Sequence, residues 1–74
     1  MYINRMKDSI IIRFGKRIRE ERTKRDLSQE QLAELANVHR TYIGMIERGE
    51  KNITLTTIER IAKALKIPVS ELLS

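Results

Sequence analysis

Apolar residues recur three and four positions apart through most of this chain, the spacing that lines one face of an α-helix. Ile11, Phe14 and Ile18 form the first stripe, and Ser9 can cap a helix running to about Arg25, where Asp26 breaks it. Ser28-Gln29-Glu30-Gln31 fits a capping box and predicts a second helix, with Leu32, Ala33, Leu35 and Ala36 turned inward. Asn37 follows it; after glycine, asparagine most readily takes a left-handed backbone conformation. A third helix is predicted from Arg40 to Arg48, stopping at Gly49. Thr54 or Thr56 can cap a fourth helix with Ile58, Ile61, Ala62 and Leu65 on one stripe. Pro68 opens a last short turn or helix carrying Val69, Leu72 and Leu73. Residues 1–8 lack any period and read as an N-terminal extension, with Met6 a possible alternative start. Residues 9–74 then form one compact, all-α domain of five helices.

Composition narrows the class of protein. Seventy-four residues with 41% apolar content supply one small core and no room for a separate catalytic domain. Cysteine is absent, so there is neither a disulfide framework nor a thiolate metal site, which fits a reducing compartment. Ile10-Ile11-Ile12 is too short for a signal-peptide core, and no apolar run approaches a membrane span. We therefore expect a cytoplasmic protein without membrane attachment. Charge is unevenly spread: residues 1–25 carry nine Lys/Arg against three acids, while residues 26–39 carry Asp26, Glu30 and Glu34 and no Lys/Arg. A basic flank beside an acidic helix suits a polyanion met in one orientation, although a solvated helix face accounts for the charge equally well.

The third helix carries most of the candidate chemistry. At 100° per residue, Ile43 and Ile46 point one way, with Tyr42 and Glu47 at the edges of that arc. Thr41, Gly44, Met45 and Arg48 occupy the opposite arc, with Arg40 beside them at the N-terminus. Gly44 is thereby expected on the outward face, where a helix-interior glycine costs roughly 1 kcal/mol and lets another surface approach closely. A capped helix, a short turn through Asn37 and a second short helix make the helix-turn-helix plan. Leu32, Ala36, Val38, Ile43 and Ile46 stand where its shared core needs apolar residues, and Ala33 is small at the helix crossing.

At this level of detail LSQEQLAELANVHRTYIGMIERGEKNIT followed by LTTIERIAKALKIPVSELL resembles the phage repressor and Cro-type (lambda repressor-like) DNA-binding domain over about residues 9–73. Within that group, RTYIGMIERGEKN most resembles the controller proteins of restriction–modification systems. The resemblance implies a homodimeric transcriptional regulator that binds double-stranded operator DNA upstream of its own gene and of the endonuclease gene. It also implies base reading by the outward arc of the third helix. Arg40 can pair bidentately with guanine, Thr41 can reach a base edge or thymine methyl, and Gly44 leaves room for the groove wall. Met45 offers apolar contact or shields the core edge; Tyr42 touches DNA through phosphate or central base pairs, or else packs. Lys51 is the candidate for an additional base-edge contact.

Phosphate contacts are expected from Gln29, Arg48 and Asn52. His39, the sole histidine, sits at the third helix's N-cap, so capping or phosphate contact outweighs metal ligation. In the family a glutamate at the position of Glu47 pairs with an arginine at the position of Arg22, a structural lock between first and third helices. Not all of Ile67, Val69, Leu72 and Leu73 can face one small core, so this group is the candidate dimer interface. Enzymatic function fails on inventory, with one histidine, no cysteine and no paired carboxylates in a loop cleft. No cofactor, metal or small-molecule ligand is expected. The rival functions are a phage or plasmid Cro-type repressor and an antitoxin that binds a toxin protein as well as DNA.

Overall fold

The computed structural model describes the backbone of residues 2–73 and the side chains of residues 10–73. Five α-helices are present and no strand occurs among the described residues: α1 (Tyr2–Lys24), α2 (Gln29–Ala36), α3 (Arg40–Glu47), α4 (Leu55–Leu65) and α5 (Val69–Leu73). Helix α1 begins well before the expected cap, so Ser9 lies inside it. No glycine or proline interrupts residues 2–8, and a helix started downstream can propagate back through them at little cost per residue. The side chains of that segment lie outside the described residues.

Local chemistry sets each boundary. Asp26 takes a left-handed conformation (φ 55°), and the Leu27 N–H donates back to the Arg22 carbonyl at 3.2 Å, which turns the chain after α1. The capping box of α2 is complete: Ser28 Oγ accepts from the Gln31 N–H at 3.0 Å and Gln31 Oε1 from the Ser28 N–H at 2.8 Å. Asn37 ends α2 in the left-handed region (φ 58°, ψ 48°). Gly49 (φ 72°) does the same after α3, where Ile12 also crowds the position a Cβ would occupy, at 2.9 Å. Thr54 Oγ1 accepts from the Thr57 N–H and caps α4. Lys66 closes α4 left-handed (φ 60°), so that Ile67 packs back on the core and its N–H reaches the Ala62 carbonyl at 3.1 Å.

The core lies where α2 meets α3 and α4, α1 crosses α3, and α5 closes the end against α1 and α4. Ile18, Leu32, Ile43, Ile46, Ile61, Leu65 and Leu72 are fully enclosed, each worth about 1.5–3 kcal/mol of apolar burial. Leu35, expected inward, is 60% exposed. Leu32, Ala33 and Ala36 take the whole buried arc of α2, and Leu35 falls roughly 100° round the helix from its centre. The tightest contact is one the apolar pattern does not announce. A Cβ on Gly15 would stand 2.2 Å from the Ile46 carbonyl oxygen and 3.0 Å from that of Glu47, so α1 and α3 meet backbone to backbone there.

Candidate nucleic-acid interface

Helix α3 is pinned by its inner face and presented by its outer one. Ile43 and Ile46 are buried, His39 Nδ1 accepts the Thr41 N–H at 3.2 Å, and Arg40 and Thr41 are exposed. His39 is therefore seated as the helix N-cap. Tyr42 is half-buried against the core, and Lys51 Nζ lies 6.0 Å from the centroid of its ring, at the limit of a cation–π contact. Met45 is half-buried at the edge.

Beneath the outer face runs a charged network. Arg22 Nε donates to Glu47 Oε2 at 2.6 Å, and Arg22 Nη2 to Glu47 Oε1 at 3.1 Å. Gln29 Nε2 also donates to Oε1, at 3.0 Å, while Arg22 Nη1 holds the Leu27 carbonyl at 2.7 Å. The side chains of Arg22 and Glu47 are 12% and 3% exposed, so a planar bidentate pair sits in a low-dielectric setting with its carboxylate saturated. One network thus fastens α1, the start of α2 and the end of α3. Gln29 is committed to it through one amide hydrogen, leaving the other for a further acceptor.

Gly44 requires a correction. It is buried, not open on the outward face. What covers it is polar: a Cβ there would meet Arg48 Nη1 at 3.2 Å and the Gln29 amide at 3.6–3.8 Å, with no core atom among its three nearest neighbours. Helical projection gave its direction from the core but could not show that two long side chains fold across it. Gly44 forms the floor of a cavity of about 520 Å³ between α2 and α3, lined by Arg22, Ser28, Gln29, Glu30, Arg40, Thr41, Gly44 and Arg48. Tyr42, Met45, Lys51 and Asn52 are not part of its lining. Asn52 instead edges a separate apolar groove of about 110 Å³ with Ile10, Ile11, Phe14, Ile53, Ile58 and Leu73.

Two carboxylates escape a sequence reading of this face. Glu30 Oε2 accepts from Arg40 Nη1 at 3.2 Å, and Glu50 takes Arg48 through Nε at 2.9 Å and Nη2 at 3.2 Å. The Arg48 hydrogen bond holds the Glu50 carboxyl below its ordinary range, and Glu50 in turn raises Arg48. A third carboxylate, Glu21, is buried on α1 and ringed by Arg25 (2.8 Å), Lys24 (3.3 Å) and Arg17 (3.7 Å). Its Arg25 hydrogen bond outweighs the opposing effect of burial and, helped by Lys24 and Arg17, lowers its pKa.

At the far end, Leu72 requires a second correction: it is 1% exposed and belongs to the core, so it cannot supply a subunit interface. Consecutive residues of α5 point about 100° apart, which sends Leu72 inward and leaves Leu73 45% exposed. Ile67 and Val69 are half-buried and packed on the core.

Comparison with known proteins places this architecture. A family model described as helix-turn-helix matches residues 18–72. The chain is 53% identical over 57 residues to control protein C.SmaI of Serratia marcescens, covering 77% of this chain and 68% of that protein. It is 45% identical over 69 residues to control protein C.BamHI of Bacillus amyloliquefaciens, covering 92% and 85%. The crystal structure of the restriction-modification controller protein C.AhdI from Aeromonas hydrophila superposes with a TM-score of 0.83 at 47% identity, covering 84% of this chain and 94% of that one. With a capped α2, a left-handed Asn37 and an α3 exposed along its outer face, the chain belongs to the helix-turn-helix family of DNA-binding transcriptional regulators, in the company of the restriction–modification control proteins.

Proposed function

We propose that this protein is the controller of a restriction–modification system, binding double-stranded operator DNA at its own promoter and that of the endonuclease. The observation that carries this reading is the outer face of α3. Arg40 and Thr41 stand exposed beside Gln29 at the start of α2, on a helix that the Arg22–Glu47 pair locks to the rest of the domain. Arg40, Thr41, Tyr42, Met45 and Lys51 are the base-reading set, with Gly44 as the floor that lets α3 settle in the major groove. Gln29, His39 and Asn52 serve the phosphates, with Arg48 joining them through the donors that Glu50 leaves unused. Gln29 does so with its spare amide hydrogen, reinforced by the positive end of α2.

A single domain of this size covers one half-site, so the working unit is a homodimer on a two-fold operator. Leu73, with Ile67 and Val69 beside it, is the surface we assign to that dimer. Cytoplasmic action on DNA follows from the same reading. Binding-site selection from a random duplex library, followed by titration of the enriched duplex across salt concentrations, tests the proposal. If two subunits neutralise on the order of 6 phosphates, log K falls against log salt with a slope of about −5. Failure to enrich any duplex, or a slope near zero, overturns it.

A further inference from the structure

Arg40 and Arg48 both meet carboxylates, but by different edges of the guanidinium. Glu50 engages Arg48 through Nε and Nη2 together, which occupies one forked edge of that guanidinium. Glu30 engages Arg40 through Nη1 alone. The Nε–Nη2 edge of Arg40 is not used by that pair, and it is one of the two forked edges through which an arginine can pair with guanine O6/N7. Both members of the Glu30–Arg40 pair are largely exposed, at 73% and 66%, so the pair adds little to stability. It joins residues ten apart on different helices, both of which line the cavity that also includes Gly44.

We infer that Glu30 is a specificity-determining positioning residue: it grips one end of the Arg40 guanidinium so that the forked edge is presented to guanine. This rests on Arg40 being a base reader. A free arginine on a helix surface has many rotamers and swings readily to the nearest phosphate, a contact without sequence information. Held at Nη1, it loses that freedom before the complex forms, and its remaining donors match the guanine pattern as a rigid pair. The carboxylate also repels phosphate oxygens from this corner of the face, which weakens binding out of register. Glu50 engages both donors of the Nε–Nη2 edge of Arg48, so it does not present that fork to a partner.

The test is a double-mutant cycle read as base preference. Wild type, Glu30→Ala, Arg40→Ala and the double variant are each used to select duplexes from one random library. Each is then titrated on the wild-type-enriched duplex and on versions with the Arg40-dependent guanine replaced by adenine. We expect Glu30→Ala to lower the guanine-over-adenine preference roughly threefold at that position of each half-site, the scale of one exposed ion pair, against the larger loss from Arg40→Ala. Its affinity for a shuffled duplex should hold or rise. On the Arg40→Ala background the same substitution should change the preference no further. Glu30→Gln, which keeps a carbonyl acceptor for Nη1, should retain part of the preference. Melting temperatures of all five proteins separate these effects from the modest helix-capping role of an acid in the first turn of α2. An unchanged guanine preference in Glu30→Ala, or independent losses from Glu30 and Arg40, overturns the inference while leaving the DNA-binding reading intact. Absence of any enriched duplex with wild type overturns both.

Discussion

Two glycines on facing helices carry opposite meanings. Gly15 sits where α1 touches the backbone of α3, and a methyl group there collides with a carbonyl oxygen that cannot move aside. The nearest atoms over Gly44 are the side-chain ends of Arg48 and Gln29, which can shift at smaller cost than a backbone carbonyl. We therefore expect Gly15→Ala to destabilise the fold by about 1–3 kcal/mol, the range for overpacking, despite alanine's better helix propensity. In a domain of this size that lowers the melting temperature by several degrees for each kcal/mol. Gly44→Ala should melt at or above wild type, and Gly44→Leu should still fold while displacing Gln29 and Arg48 and losing DNA affinity. Equal melting temperatures for Gly15→Ala and wild type would mean that α1 and α3 can separate freely. An unfolded Gly44→Leu would mean that the polar cover is as rigid as the core.

Among the elements, α3 depends on one carboxylate. Glu47 is saturated by Arg22 and Gln29, and truncating it leaves the Arg22 guanidinium mostly buried without its counter-charge. Glu47→Ala should cost about 3–5 kcal/mol, measured by denaturant unfolding, and should do so before any change in base preference. A loss under 1 kcal/mol would show that solvent screens the pair. Helix α1 has its own carboxylate in Glu21, whose folded pKa is depressed chiefly by Arg25. A depressed acid contributes stability that is present above its unfolded pKa, about 4.3, and lost as pH falls through the folded value. Wild type should therefore lose melting temperature on acidification below about pH 4 more steeply than Glu21→Gln. Parallel profiles for the two proteins would remove Glu21 as a source of the acid sensitivity.

For the whole molecule, the unanswered surface is apolar. Leu73 and Ile10, 45% and 52% exposed, border the groove that Phe14 and Ile58 floor, on a face that shares no lining residue with the α2–α3 cavity. Covering of the groove by a second copy of the chain would leave the lining of the α2–α3 cavity untouched. Leu73→Lys should leave the fold intact, since a cation at a helix C-terminus is favourable, while shifting sedimentation toward monomer and weakening binding to a two-fold duplex. Wild type sedimenting only as monomer at micromolar concentration, with and without the duplex, would remove the dimer.

Residue order alone determined the five helices, because caps and apolar spacing are local: Ser28 with Gln31, Asn37, Gly49 and Thr54 act on neighbours within a few positions. It also determined most of the core, since one stripe per helix leaves little choice of face. The resemblance to the repressor and Cro-type family pointed to Arg22 and Glu47, which lie 25 residues apart and carry no local signature of a pair. Tertiary structure decided what distance and side-chain reach control. It placed Gly15 against a carbonyl, folded Arg48 and Gln29 over Gly44, enclosed Leu72 and left Leu35 in solvent. It also set Glu30 against Arg40, a pairing that follows from the angle between α2 and α3 and from no periodicity in the chain. Short-range rules write the elements, whereas the chemistry of the α2–α3 surface arises only where two elements meet.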